Sequence, residues 1–177
     1  MWVPASTPNG MNPKAGTSRP FSSCTGTQTH RGGLAAVQGC AFMNRKRVLL
    51  ADDLAPVLNT VAALLRESFD VVATVSDGRA ALEATLKLEP DLVILDISMP
   101  VMSGIEVAEE LKRQVNKARI VFLTVHEDRD ILETCRAAGG LGYVIKALMD
   151  TDLISAMNQA LAGQMFTSLF PSQRDTP

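Results

Sequence analysis

Asp91-Leu-Val-Ile-Leu-Asp96-Ile-Ser-Met-Pro100-Val-Met-Ser-Gly104 is the stretch on which the fold turns. Four apolar residues, Leu92 to Leu95, end on a carboxylate, and a proline and a glycine follow closely. A run so short and so rich in Val, Ile and Leu reads as a strand buried on both faces, as in a parallel sheet. Asp96 then stands at the strand's C-terminal edge, where open α/β sheets place their ligands. Pro100 can neither continue a strand nor sit inside a helix, so the chain turns just after the carboxylate. Taken alone, Asp96 fits two roles equally well, a turn or cap residue and a chemical group.

The segments on either side repeat a strand–helix unit. Val48 to Ala51 is a first strand ending in Asp52-Asp53, and Pro56 suits the first turn of a helix with Val57, Val61, Leu64 and Leu65 on its apolar face. Val71 to Val75 is a second strand, and Ser76-Asp77-Gly78 starts a helix carrying Ala80, Ala81, Leu82 and Leu86. Glu89-Pro90 closes that helix, because the residue before proline is pushed out of the helical region. After the opening strand, Ser103 caps a helix with Ile105, Val107, Ala108 and Leu111. Arg119 to Leu123 forms a fourth strand ending on Thr124. A charged loop, His126 to Asp130, leads to a helix through Ile131, Leu132 and Cys135, which Gly139-Gly140 terminates. Tyr143 to Ile145 is a fifth strand ending at Lys146. Asp150 or Thr151 caps a last helix through Leu153, Ile154, Met157 and Leu161, which Gly163 ends. Five such units predict an α/β fold, a doubly wound five-stranded parallel sheet with helices on both faces in the flavodoxin-like order. Gly139-Gly-Leu-Gly142 follows a helix, the wrong context for a dinucleotide-binding loop.

Composition narrows the function. The chain has 177 residues, 46% hydrophobic and 20% charged, which describes a soluble domain with a sizeable core. A net charge of −2 and the absence of a basic stripe argue against nucleic-acid binding. The charge is uneven: residues 1–42 carry Lys14, Arg19 and Arg31 and no acid, so all 19 acidic residues lie from Met43 onward. Residues 1–43 are rich in Pro, Gly, Ser and Thr. They read as a disordered extension; alternatively translation starts at Met43 and residues 1–42 are absent from the native protein. Cys24, Cys40 and Cys135 are odd in number and lack metal-type spacing, which fits a reducing compartment such as the cytoplasm. No apolar stretch is long enough to cross a bilayer, and the mild apolar segment before Cys40 is not a signal peptide. Cys135 and the helical Met157 read as packing residues.

In a parallel sheet all strand C-termini share one edge. That edge collects Asp52 and Asp53, Asp96, Thr124 and Lys146 from four separate strands. Each alone has a bland explanation as a cap, a turn or a solvated charge; the set together does not. Neighbouring carboxylates repel by several kcal/mol at an effective dielectric near 20, so they ionise together only beside positive charge. A hard divalent ion such as Mg²⁺, held by one or two carboxylates, water and phosphate oxygens, supplies it. One carboxylate can then attack phosphorus to form an aspartyl-phosphate, with metal and lysine stabilising the phosphoryl oxygens. Asp96, central in the sheet, is the candidate.

Val48-Leu-Leu-Ala-Asp52-Asp53, the Asp91–Gly104 stretch, Val121-Phe-Leu-Thr124 and Gly142-Tyr143-Val-Ile-Lys146 together resemble the receiver domain of two-component response regulators. The resemblance covers about residues 44–163. It implies that Asp96 is the phosphoacceptor, taking phosphate from a sensor histidine kinase or a phosphotransfer protein. It also implies that Asp53 binds Mg²⁺ directly with Asp96 and the backbone carbonyl of Ser98, and that Asp52 supports the ion mainly through water. Lys146 pairs with the phosphoryl group, and Thr124 with Tyr143 forms a switch that alters the surface around helix four, strand five and helix five. A homodimer through that face is one implied partner. The side chains of Ser98 and His126 border the phosphoryl position, although His126 reads more simply as a solvated loop histidine.

Two features depart from the common pattern. Ala147 follows the lysine where proline is frequent, so a trans bond is expected there. The Gly139-Gly-Leu-Gly142 approach is closest to receivers that precede a LuxR-type helix-turn-helix, yet residues 164–177 are too short for such an output domain and resemble only the start of its linker. The resemblance implies a signalling switch with self-catalysed phosphoryl transfer and hydrolysis rather than a metabolic enzyme. Two alternatives are a truncated or degenerate DNA-binding regulator acting as a protein-binding module and an Asp-nucleophile phosphatase. The phosphatase is disfavoured because Ser98 stands where such enzymes carry a second acid.

Overall fold

Every residue of the strand Leu92–Asp96 is buried, as its unbroken apolar run requires. In the computed structural model, which describes residues 45–168, this strand is β3 at the middle of the sheet. The expectations for residues 1–43, Cys24 and Cys40 among them, and for the tail beyond Ser168 lie outside the described residues. The elements are β1 (Arg47–Ala51), α1 (Ala55–Leu65), β2 (Asp70–Val75), α2 (Gly78–Leu88), β3 (Leu92–Asp96), α3 (Gly104–Arg113), β4 (Arg119–Thr124), α4 (Arg129–Ala137), β5 (Gly142–Ile145), α5 (Met149–Leu161) and β6 (Phe166–Thr167). All strand pairs are parallel, in the order β2-β1-β3-β4-β5-β6. The flavodoxin-like arrangement is therefore as expected, with one strand more than the five predicted.

Alternation along the strands divides the core into two layers, because successive side chains point to opposite faces. Leu49, Val93, Leu95, Phe122 and Tyr143 meet α2, α3 and α4 through Ala81, Leu82, Val107, Leu111, Leu132 and Cys135. Val48, Leu50, Leu92, Ile94, Val121 and Val144 meet α1 and α5 through Val61, Leu65, Leu153, Ala156 and Met157. Each fully buried Val, Leu or Ile contributes about 1.5–3 kcal/mol, so β3 with its neighbours carries much of the stability. Cys135 and Met157 are packing residues, as expected, and burial pushes the Cys135 thiol up to about 12. Leu86 is the exception among the expected core positions and is exposed.

Helix ends follow the local chemistry. Ser103 and Glu106 form a reciprocal capping box on α3, and Asp77 caps α2 by accepting from the Ala80 amide. Glu89 ends α2 in the left-handed region before Pro90, and Gly139, with φ 103°, follows α4. The last helix differs from expectation. Neither Asp150 nor Thr151 is its N-cap: a 3-10 turn over Lys146–Leu148 runs directly into α5, and the Thr151 hydroxyl donates to the Leu148 carbonyl inside the first turn. The peptide bond to Ala147 is trans, as its residue type predicts. Among the described residues no helix is long and apolar enough to cross a membrane.

Candidate functional site

The C-terminal edge of the sheet brings the expected residues together. β1 ends at Ala51 and delivers Asp52 and Asp53, β3 ends on Asp96, β4 ends on Thr124, and the turn after β5 starts with Lys146. Oxygens of Asp52, Asp53 and Asp96 all lie within 4.8 Å of one another. Asp52 and Asp96 are buried, Asp53 is exposed, and Thr124 is wholly enclosed. Lys146 Nζ reaches between the two buried acids, 2.7 Å from Asp52 Oδ2 and 3.3 Å from Asp96 Oδ1.

The β3–α3 loop is built to present Asp96. A Cβ on Gly104 would stand 2.1 Å from the Asp96 carbonyl oxygen, so only glycine lets the first turn of α3 close against the strand end. The Gly104 amide donates to the Ile97 carbonyl at 3.1 Å and fixes that approach. Between them Val101 adopts φ 69°, a left-handed conformation costly for a β-branched side chain, and is exposed. Ser98 lies exposed on this loop, two residues beyond Asp96.

Charge in the pocket is unbalanced. Three carboxylates face one ammonium, a deficit that matches a divalent cation. Burial pushes the Asp96 carboxyl above its ordinary range; Lys146 opposes this and Asp52 adds to it. Asp52 Oδ1 accepts from the Leu54 amide at 3.0 Å, which turns the chain into α1. Asp52 Oδ2 is buried with no directed hydrogen bond, and the Lys146 ammonium meets it as an ion pair at 2.7 Å. Buried carboxylate oxygens that outnumber the positive charge beside them fit a hard ion with oxygen ligands, and Mg²⁺ fits this donor set.

His126, expected as a solvated loop histidine near the phosphoryl position, keeps its side chain at the exposed rim yet is tied into the site through its backbone. It is half-buried and joins three of the neighbours. Its amide donates to Thr124 Oγ1 at 3.1 Å, and its carbonyl accepts from the Tyr143 hydroxyl at 2.8 Å. Its Nε2 lies 3.1 Å from Ser98 Oγ. Tyr143 is buried, and burial, with lesser contributions from Cys135, Asp128 and Glu127, pushes its phenol up to about 12. The β4–α4 loop is thus held from the β3–α3 loop and from β5 at once. Two of the three bonds use His126 backbone groups, which any residue supplies, so only the Ser98 contact could have been sought from side-chain types. Two clefts of about 620 and 590 Å³ open instead at the opposite edge of the sheet, around Val115, Lys117 and Arg119, and contain none of these groups.

Residues 48–158 match the family model described as the response regulator receiver domain. The chain belongs to the response regulator receiver family. Receivers are signalling modules of two-component systems, so the family identified from the four motifs is the correct one. Transcriptional regulatory protein PdtaR of Mycobacterium tuberculosis (strain ATCC 25618 / H37Rv) is 38% identical over 118 residues, which span 66% of this chain and 57% of that protein. Nitrate/nitrite response regulator protein NarL of Escherichia coli (strain K12) is 36% identical over 124 residues, 68% of this chain and 57% of its own length. The receiver thus spans just over half the length of these curated relatives. Among solved structures, the signal receiver domain of the putative response regulator NarL from Mycobacterium tuberculosis superposes with a TM-score of 0.65 at 28% identity. It covers 68% of this chain and 98% of that domain. The isolated REC domain of RcsB from Salmonella enterica serovar Typhimurium, solved in the presence of phosphomimetic BeF3⁻, gives 0.65 at 29% identity and covers 71% and 94%.

Proposed function

We propose that this receiver accepts a phosphoryl group on Asp96 from the phosphohistidine of a sensor histidine kinase or phosphotransfer protein, and that the modification switches a partner-binding surface. One observation carries the reading: a buried carboxylate and a lysine meet two further acids at the edge where four strands end. Asp96 attacks phosphorus in line; an oxygen–phosphorus bond forms while the phosphorus–nitrogen bond breaks, and its electron pair returns to the donor imidazole. Lys146, already within reach of Asp96, follows the charge onto the phosphoryl oxygens. Thr124 exchanges its bond from the His126 amide for one to the phosphoryl group, and Tyr143, bonded to the His126 carbonyl, carries that change to α4, β5 and α5. A second copy of the chain is a partner for this face.

Asp53, Asp96 and the Ser98 carbonyl would hold Mg²⁺, with Asp52 supporting it through water, and the ion would supply the positive charge that lets the acids stay ionised beside a phosphoryl group. Incubation with Mg²⁺ and acetyl phosphate is expected to add one phosphate by intact mass, and Asp96→Asn to add none. An unmodified mass with metal and donor both present overturns the reading in favour of an unphosphorylated binding module.

A further inference from the structure

The chain beyond α5 returns to the sheet as β6, on the outer edge of the strand that carries the switch tyrosine. Phe166 and Thr167 stand opposite Gly142 and Tyr143 in parallel register. The Phe166 amide donates to the Leu141 carbonyl at 2.8 Å, and the Ser168 amide donates to the Tyr143 carbonyl at 2.9 Å. The Ser168 side chain is almost fully enclosed and bonded on both sides. Its hydroxyl donates to Asp152 Oδ2 at 2.7 Å and accepts the Ile145 amide at 3.4 Å. Arg136 on α4 donates to the Thr167 hydroxyl at 3.3 Å. Three residues, Phe166 to Ser168, thus tie the chain to α4, β5 and α5.

The positions gripped on β5 are informative. Tyr143 is held by its carbonyl from the outer edge and by its hydroxyl from the β4–α4 loop. Ile145 immediately precedes Lys146, whose ammonium lies 3.3 Å from Asp96. A shift of β5 therefore moves the lysine at one end of a short backbone path and Ser168 at the other. Asp152 anchors the far side: its carboxylate also accepts the Thr151 hydroxyl at 2.8 Å and sits in the first turn of α5, where a negative charge is favoured.

We propose that Met165–Ser168 is a strap that reports the state of the acidic pocket. It grips β5 at Tyr143 and Ile145, so a filled pocket tightens the strap and a released strap weakens the pocket's hold on a phosphoryl group. The proposal rests on Asp96 as phosphoacceptor and names how that site is read out. The new charge on Asp96 draws Lys146 inward and holds β5 in the position the strap binds; coupling between two sites is reciprocal by linkage. Ser168 and Asp152 are positioning residues in this scheme, acting on the pocket only through β5.

Hydrogen exchange at the Phe166 and Ser168 amides, measured without and with Mg²⁺ plus beryllofluoride, tests the coupling. Filling the pocket is expected to slow both amides roughly tenfold. Ser168→Ala is expected to weaken beryllofluoride binding in calorimetry by up to the same factor. Asp152→Ala should behave alike, whereas Asp152→Asn, whose amide oxygen still accepts the Ser168 hydroxyl, should bind as the unaltered protein does. A purely structural strap would lower thermal stability in these variants without changing beryllofluoride affinity. Unchanged exchange while calorimetry shows beryllofluoride bound overturns the strap and leaves Asp96 as phosphoacceptor; no binding at all overturns both. If Ser168→Ala does not fold, the exchange comparison on the unaltered protein decides.

Discussion

Asp91 and Asp96 bracket β3, five positions apart, and each faces a lysine, yet the protein treats them in opposite ways. Asp91 sits at the N-terminal edge and is partly exposed. One oxygen accepts from Lys46 Nζ and the other from the Arg47 amide, both at 2.9 Å. Burial pushes its carboxyl up, but the Lys46 bond and the Arg47 amide outweigh this and hold it below the ordinary range. Asp96 is buried at the opposite edge, with its lysine 3.3 Å away and shared with Asp52, and its carboxyl is pushed up. Where hydrogen bonds to the charged form outweigh burial the carboxylate is structural; where burial outweighs the lysine and the Ile97 amide, as at Asp96, the charge is only partly compensated. Residue type and pairing alone do not separate the two, whereas the bonds around each oxygen do.

The largest break of this contrast is Asp96→Asn. It should abolish phosphoryl uptake by intact mass, yet raise the thermal midpoint without divalent ions by roughly 3–6 °C, because a poorly compensated buried charge is gone. Lys146→Met should do the reverse for stability. With two buried acids left facing each other, calorimetry should show a loss of about 3 kcal/mol, and phosphorylation by acetyl phosphate should slow by roughly a hundredfold or more. Mg²⁺ at a hundred times its dissociation constant should stabilise the protein by about 2.7 kcal/mol, an increment removed by chelator and absent in Asp53→Asn.

At the other edge the effects shrink. Asp91→Asn should cost about 1 kcal/mol at neutral pH and leave phosphorylation unchanged. Because the folded carboxyl titrates below the unfolded one, its stabilisation is present above the ordinary carboxylate range and is lost as pH falls through the folded value. The gap between Asp91→Asn and the unaltered protein should therefore close in acid, as denaturant midpoints across pH would register. Lys46→Met, at the exposed end of the same pair, should change stability by no more than about 0.5 kcal/mol.

What the sequence disclosed tracks how local each signal is. β3 was legible because burial on both faces leaves an unbroken apolar run, and the Ser103 cap because Glu106 completes a local pattern. The pocket was legible because parallel strands put their ends on one edge, so topology converted five residues from four separate strands into a cluster. β6 was not: two residues, Phe166 and Thr167, carry no periodicity and read as the start of a linker. Asp128, which caps α4 by accepting from the Asp130 amide, reads in the sequence as one more charge of the His126–Asp130 loop. The partners of Asp91 are Arg47 at the start of β1 and Lys46 just before it, 44 and 45 positions away, and nothing near Asp91 announces them. The ties of His126 are equally silent in the sequence, since two of the three are made by its backbone.

Gly104 gives the domain a mechanical asymmetry. With the Asp96 carbonyl butted against the bare Cα of the first residue of α3, the strand end and that helix form one fixed jaw, with no slack in which a side chain could rotate or slide. On the opposite side the β4–α4 loop is tied to Thr124 and to Tyr143 of β5 by hydrogen bonds of the His126 backbone that can be exchanged. A ligand bound beside Asp96 is therefore expected to meet one side closed by direct contact and another tied by bonds it can replace.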